Sequence, residues 1–309
     1  MIKEKFNDLG FGTKTANQKT RLLNQSGTFT TERRGQSRLD AFSWYHHMLN
    51  INLVPFLFIL LIGYAVMNLA FTFIYLWVGV EHLTGMIANN FFDKFCEAFF
   101  FSTQTFTTVG YGRVNPQGFP ANVVAAIESF TGLLAFAVAT GMLYGRFARP
   151  KSHLIFSEHA VIAPYAATGK AVMFRIANRL EHLVIEVEAT VMLAYMDKNK
   201  GSTRQFVTLE IERNKIYFLP SMWTIVHPID ENSPFYNKTE HDVEEMDIEL
   251  IVLIKAFDDS FSQTVHSRFS YKQFELVWNA KFVQTLFTDA EGKPYVEMDK
   301  LGTWEKISE

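Results

Sequence analysis

Between positions 51 and 80 the chain runs for 30 residues without an Asp, Glu, Lys or Arg. About 20 apolar residues suffice for a helix to cross a bilayer, and core helices of water-soluble domains rarely run this far uncharged. A second stretch, 114–145, holds one such residue, Glu128. Two membrane-crossing helices are therefore expected. The first does not read as a signal peptide: it starts some fifty residues in, is too long for an apolar signal core, and no small-residue cleavage site ends it. Charge is distributed to match. Lys3, Lys5, Lys14, Lys19, Arg21, Arg33, Arg34 and Arg38 precede the first span, and Arg146, Arg149 and Lys151 follow the second. The loop between them sets Lys94 and Arg113 against Glu81, Asp93 and Glu97. The positive-inside bias places both termini in the cytoplasm, as in a multi-pass protein of the cell's inner membrane. A single cysteine, Cys96, leaves no intrachain disulfide to form.

Residues 1–36 are polar, lack an apolar period and read as a flexible arm. Leu39, Phe42, Tyr45 (or His46) and Leu49 then recur at helical spacing, with Trp44 and Tyr45 suited to a headgroup boundary. Positions 37–50 are expected to form a short interfacial helix. The outer span, 51–80, has Pro55 in its first turn, where the missing N–H is tolerated. Tyr75 and Trp77 are expected at the far interface. Residues 91–107 are aromatic and apolar but too short for a comfortable crossing, and a Gly-rich run, Pro116 and Pro120 follow. That is the pattern of a re-entrant helix returning as extended chain, which is tolerated at membrane depth only where it lines water or is buried in protein. The inner span is expected at 120–148. From 151 to 309 the pattern changes to short strands, at 172–176, 185–193, 206–211, 224–226, 249–256, 263–269 and 275–278, separated by turn signals such as 198–201, 230–234 and 291–292. Many strands without intervening helices predict an all-β sandwich.

The re-entrant segment ends in Thr108-Val109-Gly110-Tyr111-Gly112. A dehydrated cation needs oxygens in place of its water shell. Gly110 and Gly112 permit backbone conformations that let successive carbonyls face one axis, and the Thr108 hydroxyl adds an oxygen at the inner end. One chain supplies one wall, so four copies are needed for rings of four oxygens. The negative end of the re-entrant helix would favour a cation below them. The string, its preceding helix and the two flanking spans together predict a potassium filter with K+ sites at Thr108, Val109, Gly110 and Tyr111, the Tyr111 ring packing outward as a brace.

The chain resembles the inward-rectifier potassium channels, in particular their bacterial branch. The resemblance rests on Thr103-Gln104-Thr105-Phe106-Thr107 leading into the filter string, on Tyr144-Gly145-Arg146-Phe147-Ala148-Arg149-Pro150, on Met173-Phe174-Arg175-Ile176-Ala177-Asn178, and on the run from Trp223 through His227 and Pro228 to Ser233 and Pro234. It implies a homotetramer: an all-α two-helix pore domain plus an immunoglobulin-like cytoplasmic β-sandwich. It implies an inner-helix stripe of Glu128, Gly132, Phe136, Thr140 and Tyr144, with Tyr144 and Phe136 as the gate and Gly132 as a hinge. Glu128 is then either a cavity carboxylate that concentrates cations or a hydrogen-bonded brace. Glu186 matches an acidic position of the cytoplasmic pore, its alternative being a solvated strand face. Arg146, Arg149 and Lys151 match the region that binds anionic lipid headgroups, including phosphoinositide-like ones, or else serve topology alone.

Three positions depart from the animal members. Phe136 stands where strong rectifiers carry a carboxylate, Lys255 stands at an acidic pore position, and Gln104 replaces a pore-helix Glu whose salt bridge braces the filter. Paired extracellular cysteines are also missing. Phe136 and Lys255 weaken the case for tight block by polyamines or magnesium. No cofactor beyond the permeant K+, no nucleic-acid partner and no enzymatic activity are expected: His46, His47 and His227 show no metal spacing and read as surface or strand-end residues. A membrane-anchored β-sandwich sensor without conduction is the rival reading; it predicts a monomer without ion flux.

Overall fold

The computed structural model describes residues 21–31, 35, 43–149, 152–197 and 203–307. It divides into two units, one formed by residues 35–149 and the other by residues 1–34 together with 150–309.

The first unit is helical. Helix α1 (Trp44–Asn50) starts from a Ser43 side-chain cap on the His46 N–H; positions 37–42 of the expected interfacial helix lie outside the described residues. Helix α2 (Leu53–Val78) carries Pro55 in its first turn and α4 (Phe119–Phe147) carries Pro120, both where an unsatisfied N–H would stand anyway. Both helices are long and apolar enough to span a bilayer. Helix α3 (Phe91–Phe106) lies between them, capped by the Asn90 side chain on the Asp93 N–H. Strands β1 (Leu83–Thr84) and β2 (Asn115–Pro116) pair antiparallel and close the loop around α3. Tyr75, expected at the interface, is instead buried with its ring edge-on to Phe101, while Trp77 is 86% exposed.

The second unit is a β-sandwich. Its strands are β3 (Leu154–Phe156), β4 (Ala160–Tyr165), β5 (Gly169–Asn178), β6 (Val184–Asp197), β7 (Thr203–Leu209), β8 (Lys215–Leu219), β9 (Met222–Pro228), β10 (Glu249–Asp258), β11 (Gln263–Lys272) and β12 (Leu276–Trp278). Short pairs follow: β13 (Ala280–Phe282) with β16 (Trp304–Lys306), and β14 (Leu286–Thr288) with β15 (Pro294–Val296). One sheet runs β11-β10-β6, with β7 and β8 sharing the far edge of β6; the other runs β12-β4-β5, with β3 beside β4 on one edge of β5 and β9 on the opposite edge. Their facing sides bury one apolar core that includes Phe174, Ile176, Val187, Leu193, Leu250 and Ile254. Burial of this kind is the main favourable term in holding two sheets together. A short helix, α5 (Glu240–Glu245), is started by a capping box between Thr239 and Asp242.

Two features depart from the sequence expectation. In β6 the inward alternation holds for Val187, Ala189, Val191 and Leu193, but Val184 replaces Ile185 in the core. The cause is a bulge: Lys255 pairs with Glu188 and Phe257 with Ile185, so two residues of β6 oppose Ala256 alone, and Glu186 takes φ 49°. The second concerns the arm. Residues 21–31 are not a loose tether: Leu23 bridges Phe29 and is buried against Ala194, Phe206 and Ile251.

Candidate functional site

Helix α3 ends at Phe106, and the chain turns back at once. The N–H of Thr108 donates to the Thr105 carbonyl, and the N–H groups of Val109 and Gly110 both donate to the Gln104 carbonyl, at 2.9 and 3.3 Å. The helix C-terminus therefore grips the start of the 108–112 segment through the backbone of Gln104, the residue that departs from the animal pattern. Beyond it, φ is +59° at Thr108, +56° at Gly110 and +83° at Gly112. Left-handed conformations at every second residue turn alternate peptide planes, and this lets successive carbonyls point one way. The glycines take it easily; Thr108 takes it against the preference of a β-branched side chain, a feature not apparent from composition. Tyr111 is 80% exposed in the single chain.

The far end of the 108–112 segment has its own anchors. Arg113 forms an ion pair with Glu97 of α3 at 2.6 Å, and Asn115 Nδ2 donates to the Gly112 carbonyl at 2.6 Å. Arg113 and Glu97 thus tie the chain after Gly112 back to α3 without a carboxylate at Gln104.

The predicted inner-helix stripe splits in two. Glu128 and Gly132 are buried; Phe136, Thr140 and Tyr144 are exposed. The split follows from where α3 stops, since it covers only the upper part of α4. Glu128 consequently does not open onto a cavity. Its carboxylate accepts from the Tyr75 hydroxyl at 2.6 Å and from the Ser102 hydroxyl. Gly132 sits in an unbroken helix, and its missing Cβ leaves room for the Phe106 carbonyl. Phe136 and Tyr144 are 72% and 74% exposed.

At the lower end of α4, Arg146 reaches α1. Its guanidinium donates to the carbonyls of Met48 and Ile51, each at 2.5 Å, and lies 4.6 Å over the Phe56 ring. Arg149 donates to Asn50 Oδ1 at 3.1 Å and is otherwise exposed. Lys151 lies outside the described residues. In the β-sandwich, Glu186 projects from the bulge into solvent. Next to it Glu188 is flanked by Lys215 and Lys255, each at 3.4 Å, and these lysines hold its carboxyl below the usual range. His227 is buried: Nδ1–H donates to the Glu210 carbonyl at 2.5 Å and Nε2 accepts from Ser233 at 2.8 Å. Burial pushes its pKa down, with the Glu210 carbonyl and Asp230 pulling the other way.

Residues 154–309 match the family model described as the inward rectifier potassium channel C-terminal domain, and residues 63–148 match one described as an ion channel. Over 296 residues, 94% of this chain and 97% of the relative, the chain is 32% identical to inward rectifier potassium channel Kirbac3.1 of Paramagnetospirillum magnetotacticum. The chain belongs to the inward rectifier potassium channel family. Its similarity to animal inward rectifiers is more local. It is 33% identical to inward rectifier potassium channel 4 of Homo sapiens over 220 residues, which is 67% of this chain and 48% of that protein. The same figures hold for inward rectifier potassium channel 4 of Mesocricetus auratus. As an inward rectifier, the chain is a membrane ion channel with two apolar helices, and its β-sandwich is the family's C-terminal domain.

Proposed function

We propose that four copies of this chain surround one axis and pass potassium passively through rings of oxygens from Thr108, Val109, Gly110 and Tyr111, with Gly112 closing the outer turn. The observation that carries this reading is the alternation of left-handed φ at Thr108, Gly110 and Gly112, the backbone state that aligns carbonyls on one side. Tetramer formation is supported by an open apolar groove of about 1100 Å³ on the helical unit, lined by Tyr45, Met48, Tyr64, Met67, Leu134 and Val138. It suits the inner helix of a neighbouring copy.

Below the filter, the exposed rings of Phe136 and Tyr144 form a constriction that closes by excluding water. Both termini and the β-sandwich lie in the cytoplasm of a bacterial cell, where Arg149 and Lys151 meet anionic lipid headgroups. Arg146 contributes less to lipid than to α1, because two of its five donors already serve the Met48 and Ile51 carbonyls and its guanidinium lies over the Phe56 ring. Rectification is weak, since Phe136 offers no charge to a blocking cation and Lys255 adds a positive one beside Glu188. The test is flux from liposomes loaded with the purified channel. Potassium flux that barium blocks and sodium does not match is the expected result. Equal sodium and potassium flux overturns it.

A further inference from the structure

Glu128 is the only acidic residue between positions 114 and 145, and its side chain is completely buried. A carboxylate in that setting needs donors, and it has two, from different helices: Tyr75 of α2 and Ser102 of α3. The Ser102 hydroxyl also lies 3.2 Å from Asn68 Oδ1 and from the Asn68 carbonyl, but its single proton goes to Glu128. All three membrane-embedded helices therefore meet at one carboxylate.

One turn further along both α3 and α4, the Phe106 carbonyl packs against Gly132. The contacts Ser102–Glu128 and Phe106–Gly132 fix the height and rotation of α3 against the inner helix. On its other side α3 is matched to α2 at the same levels: Phe101 packs edge-on to Tyr75 at 5.1 Å between centroids, Ser102 meets Asn68, and Phe106 packs edge-on to Tyr64 at 5.8 Å. The left-handed run starts at Thr108, two residues beyond Phe106, and the amide donors of 108–110 hook directly onto the carbonyls of Gln104 and Thr105. No flexible segment lies between them to absorb a shift of α3.

We propose that Glu128 is a positioning residue for the selectivity filter: by holding Ser102 and Tyr75 it sets the height of the pore helix, so ion selectivity depends on a side chain that never touches the ion. This rests on the reading of 108–112 as the filter. It contrasts with a carboxylate that concentrates cations, which would need an oxygen facing open space. Glutamine can keep the arrangement. Its carbonyl accepts from Tyr75, its amide donates to Ser102 Oγ, and the Ser102 proton turns to Asn68, which is already within reach. Leucine of similar size leaves both hydroxyls without that partner.

The experiment compares wild type, Glu128→Gln, Glu128→Leu, Tyr75→Phe and Ser102→Ala in liposomes, reading the potassium-to-sodium flux ratio and barium block, with crosslinking to count assembled tetramers. Glu128→Gln is expected to keep the ratio. Glu128→Leu is expected to lower it by about tenfold in channels that still assemble, the scale of one or two net hydrogen bonds. Tyr75→Phe and Ser102→Ala are expected to lower it by less, and they carry the test if the leucine variant does not assemble. An unchanged ratio in the variants that assemble overturns the proposal by leaving only a folding role. Equal loss of potassium flux in Glu128→Gln and Glu128→Leu with the ratio intact overturns it in favour of a charge effect. Failure of the filter reading is distinguishable, because it appears as an unselective wild type.

Discussion

Gly132 and Gly141 lie in the same helix and differ in what a methyl group would meet. At Gly132 it would overlap the Phe106 carbonyl; at Gly141 nothing lies within 4 Å. Alanine at 141 is expected to be neutral or slightly stabilising, by up to about 1 kcal/mol from helix propensity. Alanine at 132 is expected to destabilise by about 1–3 kcal/mol, the usual range for overpacking, and to disturb the filter through Phe106. Thermal melts of the detergent-solubilised channel check both; equal melting temperatures would remove the special role of Gly132. At Gly110 the constraint is conformational, because φ is +56° and the surroundings are open in the single chain. A left-handed alanine costs about 1–2 kcal/mol in each subunit. Gly110→Ala is therefore expected to abolish selective potassium flux while crosslinked tetramers persist, and retained selectivity would contradict the filter assignment. At this scale the sequence was readable for Gly110 and Gly112, whose positive φ values favour glycine. It was not readable for Thr108 or Glu186, whose positive φ values are imposed by the neighbouring turn and the opposing strand.

At the scale of elements, spans and strands were legible because each has a period and a length that physics ties to its surroundings. The charge-free run became α2, the short aromatic segment became α3, and the alternation after position 184 became β6. What the pattern could not supply was partnership between elements. Tyr75 resembles a membrane-interface tyrosine until α3 and α4 are brought beside it. His227 resembles a strand-end residue until Glu210 and Ser233 close around it. Its environment yields a pH prediction. Burial lowers the folded pKa below the unfolded value of about 6.5. Its contribution to stability is then fully present above about pH 6.5 and is lost as pH falls through the lower folded value. The channel's melting temperature should drop more steeply between pH 7 and pH 5 in wild type than in His227→Gln, and parallel curves would exclude His227 as a source. For α4, removing the exposed Tyr144 ring takes apolar surface from the proposed constriction. Tyr144→Ala is expected to raise open probability in single-channel recordings, and an unchanged or lower value would move the gate elsewhere.

At the scale of the whole molecule, the unexpected tie is between the arm and the sandwich. Its polar composition hid it, since only Leu22, Leu23 and Phe29 flank an Asn24-Gln25-Ser26-Gly27 turn, too short for any period. Gly27 has φ +79° and passes so close to Arg268 that a Cβ would come within 2.8 Å of its carbonyl. The backbone N–H groups of Leu22 and Leu23 donate to the buried Glu249 carboxylate, and Arg21 grips Glu275 with two parallel bonds at 2.9 and 3.0 Å while donating to Ser270. A two-pronged arginine–carboxylate pair at a half-buried site is stronger than an exposed ion pair, because its geometry is fixed and water is partly excluded. The Arg21→Ala variant removes the fork but leaves the Glu249 bonds to the backbone. It should therefore loosen residues 21–31 without unfolding the sandwich, by about 1–3 kcal/mol for a charge-assisted bond. Limited proteolysis of the full channel reads this directly. Cleavage within 21–31 is expected to accelerate at least several-fold while the sandwich stays protected. An unchanged rate would mean that Glu249 and the buried Leu23 hold the strap alone.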